Sequence, residues 1–241
     1  MLSRIIKSNK ILFTKNIRTM SSKPIDLYTL PFYNGGPNGI KASIALEELG
    51  LEYKTHSIDI SKNEQFAPEF LKISPNNKIP AIVDHDGPGG KELPLFESGA
   101  ILVYLAEKTG KLLSQDPVEK YQILQWVFWQ VGGLGPMVGQ ANHFVVYAKE
   151  DVPYAKKRYT EEASRLFGVL DKQIGDKNFI VGNELTIADI ASFGWAHMTF
   201  LNPKYQEYFK KADYPNVQRW LNTLNERPAF KKAQPNEYFK N

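Results

Sequence analysis

The stretch NKIPAIVDHDGPGGKELPLFESGAILVYLAEKTG, residues 77–110, contains the pattern that decides the fold class. Two short apolar runs, IPAIVD and LPLF, are separated by the turn-forming segment HDGPGGKE, and this arrangement predicts a β-hairpin. The following segment, residues 97–110, has apolar residues at helical spacing and predicts a helix that stops at its final glycine. A hairpin followed directly by a helix indicates a sheet with one face covered by a helix.

The segment before this hairpin predicts a strand, a helix and a second strand. IDLYTL reads as a strand, PNGIKASIALEELG as a helix and LEYKTHSIDI as the next strand. A short helical piece, EQFAPEFLKIS, follows and is interrupted at Pro68. The order β-α-β-α-β-β-α over about 85 residues predicts a mixed sheet covered by helices.

Strand patterns are absent from the second half of the chain, which is predicted to be all helical. EKYQILQWVFWQVGG has apolar residues at i, i+3, i+4 and i+7, and PYAKKRYTEEASRLFGVLDKQIG carries one apolar stripe. KLLSQDP, residues 111–117, is the predicted linker. It separates an α/β N-terminal domain at 24–110 from an all-α C-terminal domain at 118–241.

The absence of cysteine from all 241 residues restricts the chemistry. Disulfides, thiolate metal sites and a cysteine nucleophile are excluded. The four histidines show no HExxH or i, i+4 pairing, so no metal site is predicted, and the DHD at 84–86 is interpreted as turn chemistry. No apolar run reaches the roughly 18 residues of a membrane span, so no membrane partner is predicted.

The first 23 residues differ in composition from the rest of the chain. They carry six cations and no acid, so the whole-chain net charge of +4 leaves −2 for the remainder. Nucleic-acid binding needs a basic face on the folded domain, and this body gives no support for one. Most apolar residues of the leader lie opposite its cations at helical spacing, which is typical of a mitochondrial transit peptide. We therefore expect residues 1–23 to target mitochondria; a disordered tail with a second start at Met20, and a cytoplasmic protein, is the alternative.

The glycine-rich turn YNGGPNGIK, Tyr33 to Lys41, lies between the first predicted strand and the first helix. It has neither the GxxxxGK[ST] spacing of a phosphate loop nor the GxGxxG spacing of a dinucleotide site. Two interpretations stay open. Pro37 at the first helical position would make it a simple tight turn. Asn38 would instead present an amide donor at a helix N-terminus, where the dipole favours negative charge.

Three further segments place polar residues at element boundaries. In FESGA, Ser98 lies at or beside a helix N-cap with Glu97 before it. Simple capping is favoured on this pattern alone, and a carboxylate-binding helix N-terminus is the alternative. Pro80 opens a strand and is compatible with a cis or a trans bond. Thr186 and Asp189 have the spacing of a capping box and predict a structural role.

Three long segments resemble one protein family: APEFLKISPNNKIPAIVDHDG, LFESGAILVYLAEKTG and LQWVFWQVGGLGPMVGQANHF. They are similar, almost word for word, to the nu class of the glutathione S-transferase superfamily, the bacterial glutathione transferase-like disulfide-bond reductases. The resemblance covers about residues 24–235 and implies the glutathione transferase fold, with a thioredoxin-like N-terminal domain and an all-α C-terminal domain. It also implies glutathione as cosubstrate, no metal and a homodimer.

The activity implied by this resemblance is glutathione-dependent reduction of small disulfides. Conjugation of glutathione to electrophiles is one alternative. A non-catalytic, glutathione-binding regulatory role, as in the related yeast prion protein, is another. That relative carries a long Asn/Gln-rich extension and this chain has none, which disfavours the regulatory role.

The resemblance also implies site residues by position. Asn38 would be catalytic, beside the glutathione sulfur, and the implied glutathione-binding set is Asn38, Gln65, Lys78, Ile79, Glu97, Ser98 and Arg158. Ile79 would pair its backbone with the cysteinyl part of the ligand, and Glu97 and Ser98 would hold the γ-glutamyl end. Lys78 and Gln65 match positions near the glycyl and γ-glutamyl ends, and Arg158 would reach a second glutathione.

The turn before the first helix departs from the family. Gly36 stands where several relatives carry a threonine near the sulfur, and the turn holds extra residues, among which Tyr33 is a candidate replacement hydroxyl. Tyr28, in the strand, is expected to be structural. Because the chain has no cysteine, glutathione must supply the reactive thiol. Lowering a thiol pKa from about 8.5 by about 2 units requires roughly 2.7 kcal/mol of preferential stabilisation of the anion, for which the Asn38 amide and helix N–H groups are the expected source.

Overall fold

The structure is a computed structural model that describes residues 23–31 and 36–233. The predicted targeting leader, apart from Lys23, lies outside the described residues. So do the candidate hydroxyl of Tyr33 and the last eight residues, 234–241, of the predicted C-terminal domain.

Within the described residues, four strands form one mixed sheet in the order β2-β1-β3-β4. Their bounds are β1 Ile25–Thr29, β2 Tyr53–Ser57, β3 Ala81–Asp84 and β4 Leu93–Phe96. β1 runs parallel to β2 and antiparallel to β3, and β3 and β4 form the antiparallel hairpin. The predicted strand–helix–strand unit followed by a hairpin is therefore confirmed.

Helices cover both faces of this sheet. They are α1 Gly36–Leu49, α2 Pro68–Ile73 and α3 Ser98–Thr109. Leu27 and Ile82 pack into the main core with α1 and α3, whereas Tyr28 and Ala81 lie with Phe70 of α2 on the other face. Tyr28 also stacks on the ring of His56 at a centroid distance of 4.8 Å, which is the structural role expected for it.

Pro68 starts a helix and does not interrupt one. The residues before it, Glu64–Phe66, form a separate 3-10 turn, and α2 begins at the proline itself. A proline is favoured in the first turn of a helix because its missing N–H would have had no partner there. Pro37 was predicted at the first helical position of α1. The helix begins at Gly36, so Pro37 is its second residue.

The described part of the second half is all helical, as predicted. Its α-helices are α4 Pro117–Trp129, α5 Gly135–Asn142, α6 Pro153–Ile174, α7 Ile187–Leu201, α8 Pro215–Asn225 and α9 Pro228–Ala233. Two π-helical turns, Gln130–Leu134 and His143–Tyr147, flank α5. Pro117 is the first residue of α4 and α3 ends at Thr109, so the connection between the two helices is residues 110–116, one position earlier than the predicted linker.

Asp189 at the start of α7 is the acceptor at the centre of a buried hydrogen-bond network in the helical domain. Its carboxylate is fully buried and accepts hydrogen bonds from the backbone N–H of Ile180 at 2.8 Å and of Thr186 at 3.0 Å. The Thr186 hydroxyl donates to it at 3.0 Å and the Trp220 indole at 2.9 Å. Thr186 and Asp189 form a reciprocal capping box, so the structural role predicted for this segment is confirmed.

The two domains meet where α1 packs against α7. A side chain at Gly194 of α7 would place its Cβ 2.5 Å from the carbonyl oxygen of Pro37 and 2.9 Å from Ile40 Cδ1. Only a glycine fits this approach without a shift of one of the helices. Farther along α1, Arg227 donates two hydrogen bonds to the Glu48 carboxylate at 2.7 and 2.8 Å, which ties the two domains together a second time.

None of the helices described for this chain combines the length and the apolar character needed to cross a bilayer.

Candidate functional site

The strand register brings three chain segments to one edge of the sheet. Tyr28 near the end of β1 is paired with Ala81 at the start of β3, and Ala81 is paired with Phe96 at the end of β4. Pro80 directly precedes β3, Glu97 directly follows β4, and the turn into α1 leaves the end of β1. The hairpin and the strand–helix unit therefore bring Ile79, Glu97 and the start of α1, which carries Asn38, to a common edge.

The peptide bond between Ile79 and Pro80 is cis. The residue pattern was compatible with either isomer, and the structure decides between them. The segment before it is held by the Ser74 hydroxyl, which donates to the carbonyl oxygen of Lys78 at 2.8 Å. Ile79 is half-buried at the edge, and the Lys78 side chain is exposed.

The N-terminus of α3 is not capped by a side chain, although simple capping by Ser98 was the favoured interpretation of the sequence. Glu97 occupies the cap position with φ 70° and makes no side-chain capping bond, and Ser98 is already the first helical residue. A positive φ is uncommon for a residue with a side chain and is concentrated at functional sites. The free N–H groups and the helix dipole at this end favour a bound anion.

Asn38 in the first turn of α1 is held by a residue of the other domain. Its side-chain oxygen Oδ1 accepts a hydrogen bond from the indole Nε1 of Trp195 in α7 at 3.0 Å. Because this bond occupies the amide oxygen, it orients the amide and leaves the NH₂ group as the available donor. A helix N-terminus that carries an oriented amide donor is suited to stabilise a thiolate. Sequence reasoning singled out Asn38 and did not single out Trp195.

Lys41 lies behind this edge, one helical turn after Asn38, and is only 1% exposed. Its Nζ donates to Gln130 Oε1 at 2.6 Å and to Ser98 Oγ at 3.3 Å. Gln130 is fully buried in the π-helical turn after α4. Burial lowers the pKa of Lys41 to about 7, and the negative charge of Glu97 opposes that shift. Neither Lys41 nor Gln130 was singled out by the sequence.

The remaining predicted residues lie in different settings. Gln65 is half-buried in the 3-10 turn before α2, and its Oε1 is buried without a hydrogen-bond partner. Arg158 is exposed in the first half of α6, where it lines a polar groove with Tyr154 and Glu162. No hydrogen bond or ion pair in the described chain joins Arg158 to the edge residues, so its contact with a second glutathione stays a prediction.

The described residues contain no group of three His, Asp or Glu side chains that could hold a metal ion. The DHD segment forms a turn, because the carboxylate of Asp84 accepts from the backbone N–H of Asp86 at 2.9 Å. Asp84 also accepts from the Tyr104 hydroxyl and the Lys108 ammonium, each at 2.6 Å.

Each half of the chain matches the model of a known domain family. The model for "Glutathione S-transferase, N-terminal domain" matches residues 28–107, and that for "Glutathione S-transferase, C-terminal domain" matches residues 134–228. The chain belongs to the glutathione S-transferase family. This transferase is 49% identical over 210 residues to Disulfide-bond oxidoreductase YfcG of Escherichia coli (strain K12), a match that covers 87% of the chain and 94% of that protein.

Two solved structures resemble this transferase closely. A glutathione transferase from Burkholderia graminis, with two glutathione molecules per subunit, has a TM-score of 0.82 and 45% identity, and the match covers 87% of both chains. A glutathione transferase from Pseudomonas putida, with one glutathione disulfide per subunit, has a TM-score of 0.81 and 46% identity, and the match covers 87% of this chain and 90% of that one. The predicted fold class is therefore confirmed.

The site of this transferase has polar groups that fit a peptide-like, anionic ligand. The N-terminus of α3 has no side-chain cap, and the buried Oε1 of Gln65 has no partner within the described structure. Asn38 keeps its NH₂ group as a donor at the start of α1. Glutathione carries carboxylates, amide groups and a thiol, so each of these protein groups has a complementary group in that ligand.

Proposed function

We propose that this transferase is a glutathione-dependent disulfide-bond oxidoreductase. The observation that carries the proposal is the Asn38 amide, which is oriented by Trp195 at the N-terminus of α1 in a chain that has no cysteine of its own. A disulfide exchange needs a thiolate, and this site offers stabilisation for a thiolate that the ligand brings. YfcG, a relative named for this activity, is aligned over nearly its whole length.

The reaction is two successive thiol–disulfide exchanges. The thiolate of one glutathione attacks a sulfur of the substrate disulfide, the S–S bond breaks, and the departing thiolate takes up a proton. A second glutathione thiolate then attacks the glutathione sulfur of the mixed disulfide, which releases the other substrate thiol and forms glutathione disulfide. Two electrons pass from two glutathione molecules to the substrate, so no further reductant is required.

The protein supplies binding and orientation. We assign Ile79 to backbone pairing with the cysteinyl part of glutathione, and Glu97 with Ser98 to the γ-glutamyl end. Lys78 and Gln65 are assigned to the glycyl and γ-glutamyl ends, and Arg158 to a second glutathione. Bringing the attacking sulfur into line with the disulfide converts an encounter of separate molecules into a reaction within one complex.

A direct assay tests the activity. Purified protein is expected to reduce hydroxyethyl disulfide with glutathione, followed through NADPH consumption by glutathione reductase, faster than it conjugates glutathione to a model aryl halide. Both reactions use the same bound thiolate, so the ratio of their kcat/KM values separates the two functions. Conjugation without reduction would assign the protein to the conjugating transferases, and inactivity in both assays would favour a binding role.

We also propose that the protein is a homodimer. Leu93 and Leu95 of β4 and Val127 of α4 line a shallow apolar cavity of about 540 Å³, so residues of both domains form it. Phe128 lies on the same surface and is 67% exposed, although it belongs to an apolar stripe of α4. Trp126 and Trp129, by contrast, are half-buried and pack edge-to-face at 5.0 Å. An exposed apolar surface of this kind suits a second copy of the chain.

Analytical ultracentrifugation is expected to give twice the chain mass of 27.4 kDa for the wild type. The Phe128→Glu variant is expected to sediment as a monomer, because a carboxylate would be buried without a partner in the interface. A monomeric wild type would contradict the proposal.

The composition of residues 1–23 further supports mitochondrial targeting, with a mature N-terminus near Met20 in protein purified from mitochondria. Intact Met1 in that fraction would contradict cleavage.

A further inference from the structure

Lys41 is a buried amino group with no anionic hydrogen-bond partner among the residues that the structure describes. Its side chain is 1% exposed, and its two hydrogen-bond acceptors are a neutral amide and a neutral hydroxyl. Transferring a charged ammonium away from water is costly unless an opposite charge compensates it. Burial accordingly lowers the pKa of Lys41 to about 7, so near neutral pH the group is divided between its charged and uncharged forms.

Gln130 cannot supply the missing negative charge. Its Oε1 accepts from Lys41, and its Nε2 is buried without a hydrogen-bond partner in the described structure. Among the titratable groups of the described residues, Glu97 at the cap position of α3 is the one whose negative charge acts on Lys41. Glu97 is exposed, so solvent weakens its effect.

Ser98 connects the buried amino group to the ligand side. Its Oγ accepts from Lys41 at 3.3 Å, so its own hydroxyl hydrogen remains available for another acceptor. Ser98 is the first residue of α3, a twelve-residue helix with no side-chain cap. A carboxylate bound at this N-terminus would be separated from the buried Lys41 by a single hydroxyl group.

We infer that Lys41 is the buried counter-charge for the ligand carboxylate bound at the N-terminus of α3, and that this carboxylate binds together with a proton taken up by Lys41. The inference rests on the proposed glutathione function and names the group that recognises the α-carboxylate of the γ-glutamyl end. The proton comes from the buffer and no covalent bond changes. Lys41 acts through Ser98 and is therefore a positioning residue.

Thermodynamic linkage gives the expected behaviour. When ligand binding raises the pKa of a group, protons are taken up over the pH range between the free and bound pKa values. Above the free-state value, the affinity for the carboxylate should fall as pH rises, by a limiting factor of about ten per pH unit. An Nζ that is fully charged before binding, or never charged, would take up no proton.

Isothermal titration calorimetry measures this uptake directly. S-methylglutathione is the probe, because it keeps the γ-glutamyl end and has no thiol proton to release. Titrations at one pH, slightly above neutral, in buffers with different ionisation enthalpies give the number of protons exchanged per ligand. For the wild type we expect an uptake on the order of half a proton or more.

Three comparisons locate the proton. Lys41→Met is expected to abolish the uptake and weaken S-methylglutathione binding at least about tenfold. The γ-aminobutyryl analogue, which lacks only the α-carboxylate, should bind Lys41→Met and wild type alike, with no uptake. Gln130→Glu should place a carboxylate against Nζ, charge Lys41 in the free protein and also abolish the uptake.

Other results would overturn the inference. Binding of S-methylglutathione to the wild type without uptake, or uptake that persists in Lys41→Met, would contradict the role of Lys41 and leave the proposed function intact. Equal losses of affinity for both ligands in Lys41→Met would indicate a general structural role. Failure of S-methylglutathione to bind the wild type would instead remove the proposed function itself.

Discussion

Replacement of Asn38 by alanine is expected to lower kcat/KM for glutathione-dependent disulfide reduction by about 100-fold, the usual cost of losing one oriented donor to a developing anion. The Asn38 amide is oriented by the Trp195 indole, so its NH₂ group is the donor left for the sulfur. Without it, the thiol pKa of bound glutathione should rise, and the ultraviolet absorbance of the thiolate should appear only at higher pH. Steady-state kinetics and this titration measure the two effects.

Asn38→Asp separates a chemical role from a turn role. A carboxylate at this position keeps an acceptor for Trp195 but has no hydrogen to donate, and its charge repels a thiolate. If Asn38 were only a turn residue, aspartate would be well tolerated, since acids are favoured near helix N-termini. We expect Asn38→Asp to be at least as inactive as Asn38→Ala, with an unchanged rate for the exposed Asn178→Ala control. A fully active aspartate variant would refute the assignment.

Asp189→Ala is expected to reduce the free energy of unfolding by about 4 kcal/mol. The substitution leaves the backbone N–H of Ile180 and the Trp220 indole N–H without their acceptor in the core, and it breaks the capping box with Thr186. Each buried donor left unpaired costs about 1–3 kcal/mol. Denaturant unfolding followed by circular dichroism measures the loss.

Asp116→Ala provides the matched control for this experiment. Asp116 is also an aspartate at a helix start, where it accepts from the backbone N–H of Glu119 at 2.9 Å, but it is exposed. Loss of an ordinary exposed N-cap costs about 1 kcal/mol. If the two variants were equally stable, the buried network of Asp189 would contribute nothing beyond ordinary capping.

The order of elements could be predicted because each one has a local signature. Short apolar runs marked the two hairpin strands, Gly110 marked the end of α3, and the segment HDGPGGKE marked the turn of the hairpin. Local signatures also placed Glu97 and Ser98 at a helix start. They gave the wrong reason for Ser98, since capping depends on a hydrogen bond whose formation the sequence does not specify.

The contacts that give the site its chemistry could not be predicted, because they join distant positions. Asn38 and Trp195 are 157 positions apart, and Lys41 and Gln130 are 89 apart. A lysine in a helical pattern is ordinarily predicted to face water. Phe128 shows the opposite error. An apolar residue on a helical stripe is ordinarily predicted to be buried, but Phe128 faces solvent.

The close contact at Gly194 makes the start of α1 depend on the helical domain. The carbonyl oxygen of Pro37 would lie 2.5 Å from a Cβ at that position, so the first turn of α1 rests on the bare backbone of α7. If the helical domain were replaced by that of another transferase, a different helix surface would lie beneath the first turn of α1. The Asn38 amide would then be placed differently. The placement of the Asn38 amide therefore depends on the helical domain, although Asn38 itself belongs to the other domain.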